Sequence, residues 1–229
     1  MARRLFIFVG MLVFLTTTYT FGAAEVIDRI VATVNGHIIL LSDWEDSLRF
    51  EAFSSGRPLD RMTADERKSA LDHLIDQELL REQLKDSDVL HPSPEEVAQR
   101  VVEIRKQYAE AETEVGWRTL LDSYRLSEEN LKDRVSAQLD LMRLVDARLR
   151  PSVTVDSKSI ESYYNQELLP QLRQSGGQKV PLGDVTAKIK ELLTQKKISQ
   201  LLTAWLQDLR AGSEIRGEAL TAGSGGRSQ

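Results

Sequence analysis

The chain contains no cysteine. That excludes disulfides, thiolate nucleophiles and sulfur-ligated metals, so the fold must be held by its core. Histidine is nearly as scarce, with only His37, His73 and His91. None has a metal-type partner four residues on, and no His-Glu-x-x-His segment occurs, so the pattern implies no metal. There is no Gly-x-Ser-x-Gly and no phosphate loop, and Gly176-Gly177 lies between polar residues, as a linker does. The carboxylate pairs Glu95-Glu96 and Glu128-Glu129 fall in the first turns of predicted helices, where they complement the helix dipole rather than form an acid–base site. The expectation is a protein with no catalytic residues and no cofactor. Aromatics amount to 6% of the residues, which suits a helical protein better than a β-sandwich.

Only one large apolar segment is present, and it is N-terminal. Arg3-Arg4 precedes the apolar run Leu5–Leu15, and Gly22-Ala23-Ala24 supplies small residues for cleavage after Ala24. This reads as a secretory signal peptide over residues 1–24; the run is short for a spanning helix, and no cysteine follows for lipid attachment. Losing Arg3 and Arg4 leaves 28 basic against 35 acidic residues, a charge of −7. An acidic exported chain has no electrostatic affinity for nucleic acid, and none is expected as a partner. Export without cysteine points to a bacterial periplasm, with no stable membrane insertion once the leader is removed.

Residues 27–45, IDRIVATVNGHIILLSDWE, read as strand, turn, strand and helix start. Asn35-Gly36 between aliphatic runs is a strong hairpin signal, because a type I′ turn needs positive φ at both central residues. Ser42 with Glu45 reads as a capping box opening a helix to about Ser54. Thr63 with Glu66 opens another to about Lys85, with Leu71, Leu74, Ile75 and Leu79 on one face. Ser93, Pro94 and Glu96 open a third to about Tyr108. A shorter helix surrounds Trp117–Tyr124. Ser127 caps the next, to Leu149, with a stripe of Leu131, Val135, Leu139, Met142, Val145 and Leu149. Asp156 or Ser157 caps a helix through Tyr163-Tyr164 that Pro170 is expected to end or kink. The last long helix runs from Val180-Pro181 to about Ala211. Val185, Ile189, Leu192 and Leu193 lie on one face of it, and Leu201, Leu202, Trp205, Leu206 and Leu209 on nearly the opposite one. Either it kinks at Thr194–Lys197 or one rod touches two surfaces. Gly212 is its expected C-terminal cap. Residues 213–216 read as a short strand, and residues 218–229 as a disordered tail. A lone hairpin is marginal in water, so another part of the chain must cover it.

With no reaction centre to find, apolar surface is what remains. Trp44, Phe50, Phe53, Tyr108, Trp117 and Tyr124 cluster in the first two-thirds of the chain. Most are expected in the core. Any that line a groove between helices are candidates for binding a peptide, Phe50 and Phe53 foremost, because they end a helix beside a loop.

Four blocks resemble the SurA family of periplasmic chaperones: VATVNGHIILLSDWE, ALDHLIDQELLREQLKDSDVLHPSPEEV, LVDARLRPSVTVDSKSIESYY, and VPLGDVTAKIKELLTQKKISQLLTAWLQDLRAGSEIR. They stand in the family's order. The family's parvulin-type prolyl isomerase domains would lie between the last two blocks, where this chain has only residues 165–179. The resemblance therefore implies the chaperone module without the isomerase. It implies a mainly α fold, a multi-helix domain with a small N-terminal β-hairpin closed by a long C-terminal helix and a short strand, with Ile215 pairing near the hairpin. It divides the chain into a single helical domain over residues 25–217, made of an N-terminal part 25–164, the linker 165–179 and the closing segment 180–217. The implied function is non-catalytic binding of unfolded clients, chiefly outer-membrane protein precursors. The competing readings are a residual prolyl isomerase and an adaptor for one envelope-assembly partner.

Overall fold

Residues 28–217 are described by a computed structural model. The expected leader and tail lie outside the described residues. Strands β1 (Ile30–Val34) and β2 (His37–Leu40) form the hairpin. Asn35 and Gly36 have φ of 49° and 85°, the left-handed pair that the Asn-Gly turn anticipated. Val34 faces His37 and Thr33 faces Ile38, with a bulge between Ile30 and Ala32.

Helix α1 (Leu41–Ser54) follows β2 directly. Its N-cap is Leu40, not Ser42. The strand runs straight into the helix, so Ser42 already stands in the first turn and its hydroxyl donates to Asp28. Asp43 rather than Glu45 reaches back, accepting the Leu40 N–H at 2.9 Å. The next two helices begin as their sequences anticipate. In α2 (Ala64–Lys85), Thr63 Oγ1 accepts the Glu66 N–H at 3.2 Å and Glu66 accepts the Thr63 N–H at 2.8 Å. In α3 (Pro94–Arg105), Ser93 and Glu96 form the same reciprocal pair at 3.3 and 2.7 Å. Helix α3 stops short of Tyr108, whose backbone is extended and whose hydroxyl donates to the Phe53 carbonyl. Thr113 caps α4 (Glu114–Ser123), and Ser127 caps α5 (Glu128–Leu149). On α5 the anticipated stripe is only partly right, since Leu131, Val135 and Leu149 are buried but Met142 is 56% exposed, and Leu144 is buried instead.

Asp156 caps α6 (Ser157–Tyr163) through a 2.7 Å bond from the Ser159 N–H. Pro170 does not end this helix. A π-helical stretch, Tyr164–Leu168, widens the turn before it, and α7 (Leu169–Gln174) continues with Pro170 in its first turn. Pro170 thus stands just after the switch from π-helical to α-helical bonding, in a first turn, where a missing N–H is tolerated. Gly176, at φ 70°, then closes α7, with the Gly177 N–H on the Leu172 carbonyl at 2.8 Å.

Helix α8 (Leu182–Gly212) is unbroken over 31 residues, roughly 46 Å. Of the two possibilities left open for it, the rod touching two surfaces in turn is the one realised. Val185, Ile189 and Leu193 pack with Ile160, Tyr164 and Leu169, while Leu209 packs against the hairpin and α2. Between these ends the Arg148 guanidinium of α5 lies 4.7 Å over the Trp205 ring. Leu192 and Leu201 are exposed, and Ile198 and Thr194 are buried in the middle. Gly212 is not a left-handed cap: it is the last helical residue, and the helix ends because Ser213 is extended, with φ −113° and ψ 150°.

Strand β3 (Ile215–Gly217) then pairs antiparallel with β1, Val34 opposite Ile215 and Thr33 opposite Arg216, giving the sheet order β2-β1-β3. Asn35 fastens the junction. Its N–H donates to the Glu214 carbonyl at 2.9 Å, its Oδ1 accepts the Glu214 N–H at 2.8 Å, and its Nδ2 donates to Ser213 Oγ at 3.2 Å and to Glu82 at 2.7 Å. Arg210 adds an ion pair to Asp76 at 2.6 Å and a bond to the Asp72 carbonyl at 2.9 Å. The carboxylates of Asp76 and Asp72 favour the charged guanidinium and raise its pKa above the ordinary arginine value. The architecture is mainly α, with the small sheet joining both ends of the described chain.

Candidate functional site

The six aromatic candidates do not form one exposed patch. Phe53, at 0% exposure, centres a buried cluster: Tyr108 stacks on it at 5.2 Å, Tyr124 meets it edge-on at 5.6 Å, and Trp117 lies 6.2 Å away. Burial holds the Tyr108 and Tyr124 hydroxyls above the usual tyrosine pKa. Trp44 is buried in the other core region, its indole N–H donating to the Arg67 carbonyl at 2.9 Å. The structure gives these five packing roles, while Phe50, partly buried at the edge of the Phe53 cluster, also lines an open surface.

That surface is a cleft of about 900 Å³ bounded by β2, α1, α2, the connector after α2 and the start of α5. Each helix contributes one face at helical spacing: Asp43, Asp46, Ser47 and Phe50 from α1; Leu74, Gln77, Glu78 and Arg81 from α2; Asn130, Asp133, Arg134, Ala137 and Leu141 from α5. The apolar share of the lining includes Ile38, Phe50, Leu74, Leu84, Val89 and Leu141, with Ile38 48% exposed. These faces mix polar and apolar residues, so they carry no stripe and were not found by looking for one. The signal available in the sequence was the run of shared i, i+3, i+4, i+7 positions left over once the core positions of each helix were assigned.

The polar lining is unevenly committed. Among the cleft carboxylates, Asp43 caps α1, Asp46 pairs with Arg49, Glu51 bonds His73 at 3.0 Å, and Asp140 bonds His91 at 2.9 Å. Glu78 is 2% exposed and pairs through Oε2 with Arg81, while Oε1 has no hydrogen-bond partner and lies 3.5 Å from His37 Nδ1. Arg134 is half-buried, with its guanidinium 5.7 Å from the centre of the Phe50 ring and no carboxylate within 4.0 Å among the described residues. Burial pulls its pKa below the usual arginine value, against the opposing pull of Asp46 and Asp43.

Among the described residues, no group of three His, Asp or Glu side chains is placed to hold a metal ion. No helix of the described residues is long and apolar enough to cross a membrane.

The fold is a hairpin-led helical domain with an open cleft of mixed polarity. The sequence profile of the SurA-like N-terminal domain matches residues 2–145, and the chain belongs to that family. The family is periplasmic, and this domain is the non-catalytic, chaperone part, which binds client polypeptides. A search of curated proteins returns no match.

Proposed function

We propose that this protein is a periplasmic holding chaperone that takes extended segments of unfolded clients, outer-membrane barrel precursors above all, into the cleft between α1, α2 and α5, without catalysis. The observation that carries this is the cleft itself. About 900 Å³ is ample for several side chains of an extended peptide, and its walls alternate aliphatic and aromatic surface with hydrogen-bonding groups. Binding of this kind needs neither nucleotide nor metal. Apolar contact supplies the affinity, and the net negative charge of the remaining surface keeps the loaded complex soluble.

The test is aggregation of a urea-denatured outer-membrane barrel protein diluted into buffer, followed by light scattering. A several-fold molar excess of the chaperone is expected to suppress scattering. Ile38→Glu, which alters a half-exposed cleft residue outside the core, is expected to weaken suppression while leaving helical circular dichroism unchanged. Scattering that is the same with and without the wild-type protein would refute the proposal.

A further inference from the structure

Arg134 is the half-buried arginine of the cleft. Its side chain makes no hydrogen bond and no ion pair among the described residues, although it is half-buried. Of the other arginines that line the cleft, Arg81 holds Glu78, while Arg125 is exposed to water. A guanidinium carries five N–H donors in a rigid plane. Glu78 Oε1 is the one buried side-chain polar atom without a partner among the described residues, so water still reaches the Arg134 nitrogens, and with no protein acceptor they are free for an acceptor from outside. The guanidinium carbon lies over the Phe50 ring, 5.7 Å from its centre, and both side chains line the cleft.

The surroundings say which acceptor. Asp46, Asp43 and Glu51 line the same cleft and favour the charge on Arg134, with Arg49 opposing, yet among the described residues no carboxylate lies within ion-pair distance of it. They balance its charge from afar without occupying its N–H groups. A ligand carboxylate would gain the guanidinium but bring a further full negative charge among those acidic side chains and be repelled by them. A neutral carbonyl oxygen would not, and an extended polypeptide presents one at every residue.

We propose, resting on the cleft reading above, that Arg134 recognises the main-chain carbonyl groups of an extended client segment, with the Phe50 ring holding the guanidinium in place. The contact is independent of client sequence, and that is the chemistry by which one cleft accepts many unfolded chains. Arg134 is thus a binding residue for polypeptide backbone rather than a salt-bridge partner for acidic side chains.

The experiment uses the full chain and three fluorescein-labelled peptides, acetylated and amidated, identical except for a central Glu, Gln or Lys among apolar residues. Affinities are read by anisotropy. Arg134→Met, which keeps the aliphatic stem, is expected to weaken all three by the same factor, on the order of tenfold, the size of a lost charge-assisted hydrogen bond. Arg134→Lys is expected to recover only part of this, because it restores the charge without the planar fork. As a second measurement, replacing one central amide of the Gln peptide by a thioamide, a weaker acceptor, is expected to weaken binding to the wild-type protein but not to Arg134→Met. Loss confined to the Glu peptide overturns the inference in favour of side-chain carboxylate recognition. Unchanged affinity for all three in Arg134→Met, or no thioamide effect on the wild type, overturns it and leaves the cleft reading standing. Failure of all three peptides to bind the wild type brings down the cleft reading and this inference with it.

Discussion

Phe53→Ala is expected to destabilise the domain by about 3–5 kcal/mol, measured as a fall in the urea midpoint at unchanged slope. Phe53 is at 0% exposure and is the one ring that touches Tyr108, Tyr124 and Trp117 together. Removing it takes away a buried aromatic and leaves a void lined by three rigid rings, which cannot collapse as aliphatic side chains do. The same position joins α1 to the segment after α3, because the Tyr108 hydroxyl donates to the Phe53 carbonyl. That bond is to the main chain and survives the substitution, so the expected cost is one of packing. A domain whose total stability lies in the ordinary range of about 5–15 kcal/mol would lose a large fraction of it. Phe50→Ala, by contrast, is expected to cost less stability because Phe50 is only partly buried at the edge of the same cluster. A result in which the two substitutions are equally costly would contradict the division between packing and cleft aromatics.

Ending the chain after Ala211 is the second large effect, expected at roughly 3–5 kcal/mol by the same denaturation measurement. The cut removes β3 and with it the main-chain pairing to β1, together with three of the hydrogen bonds that Asn35 makes, to Ser213 and Glu214. Ile215, packed against the hairpin core beside Leu209, goes as well. The exposed β1 edge would then offer unpaired N–H and C=O groups to other molecules. Self-association of the truncated chain, read by sedimentation, is expected to accompany its lower stability. A truncated chain as stable and as monodisperse as the parent would mean that β3 contributes nothing to the fold.

What the sequence disclosed and what it hid divide along the range of the interactions involved. The Asn35-Gly36 turn and the caps at Thr63, Ser93, Ser127 and Asp156 were legible because each is settled within three residues of itself. Ser42 misled because its hydroxyl serves Asp28, fourteen residues away, across the hairpin. Gly212 misled because the chain turns from helix to strand at an ordinary extended residue, a step any side chain permits. Pro170 gives the sequence signal of an end or a kink, because the π-helical turn before it has no composition of its own. The two stripes of α8 were visible as periodicity, but which surfaces they meet was not. The aromatic residues show the same limit most plainly. Their clustering in the first two-thirds of the chain was evident, yet of Phe50 and Phe53, three residues apart on one helix, only Phe50 also lines the cleft, and the placement of α3, α4 and α5 decides between them. The cleft was hidden for a related reason: its walls are the helix faces that the core does not use.

The joining of the two ends of the domain is the central claim, and the absence of cysteine makes it directly measurable. Thr33 and Arg216 stand opposite each other in the β1–β3 ladder, where facing Cα atoms of an antiparallel pair are about 4.5–5.5 Å apart, within disulfide range. The double variant Thr33→Cys/Arg216→Cys has no other thiol to pair with. Mild oxidation at low concentration is expected to give an intramolecular disulfide in the folded monomer, seen as an intact-mass loss of two hydrogens and as a faster-migrating band that dithiothreitol abolishes. Two thiols that stay free, or that join only between molecules, would show that the end of α8 and β3 do not rest on the opening hairpin.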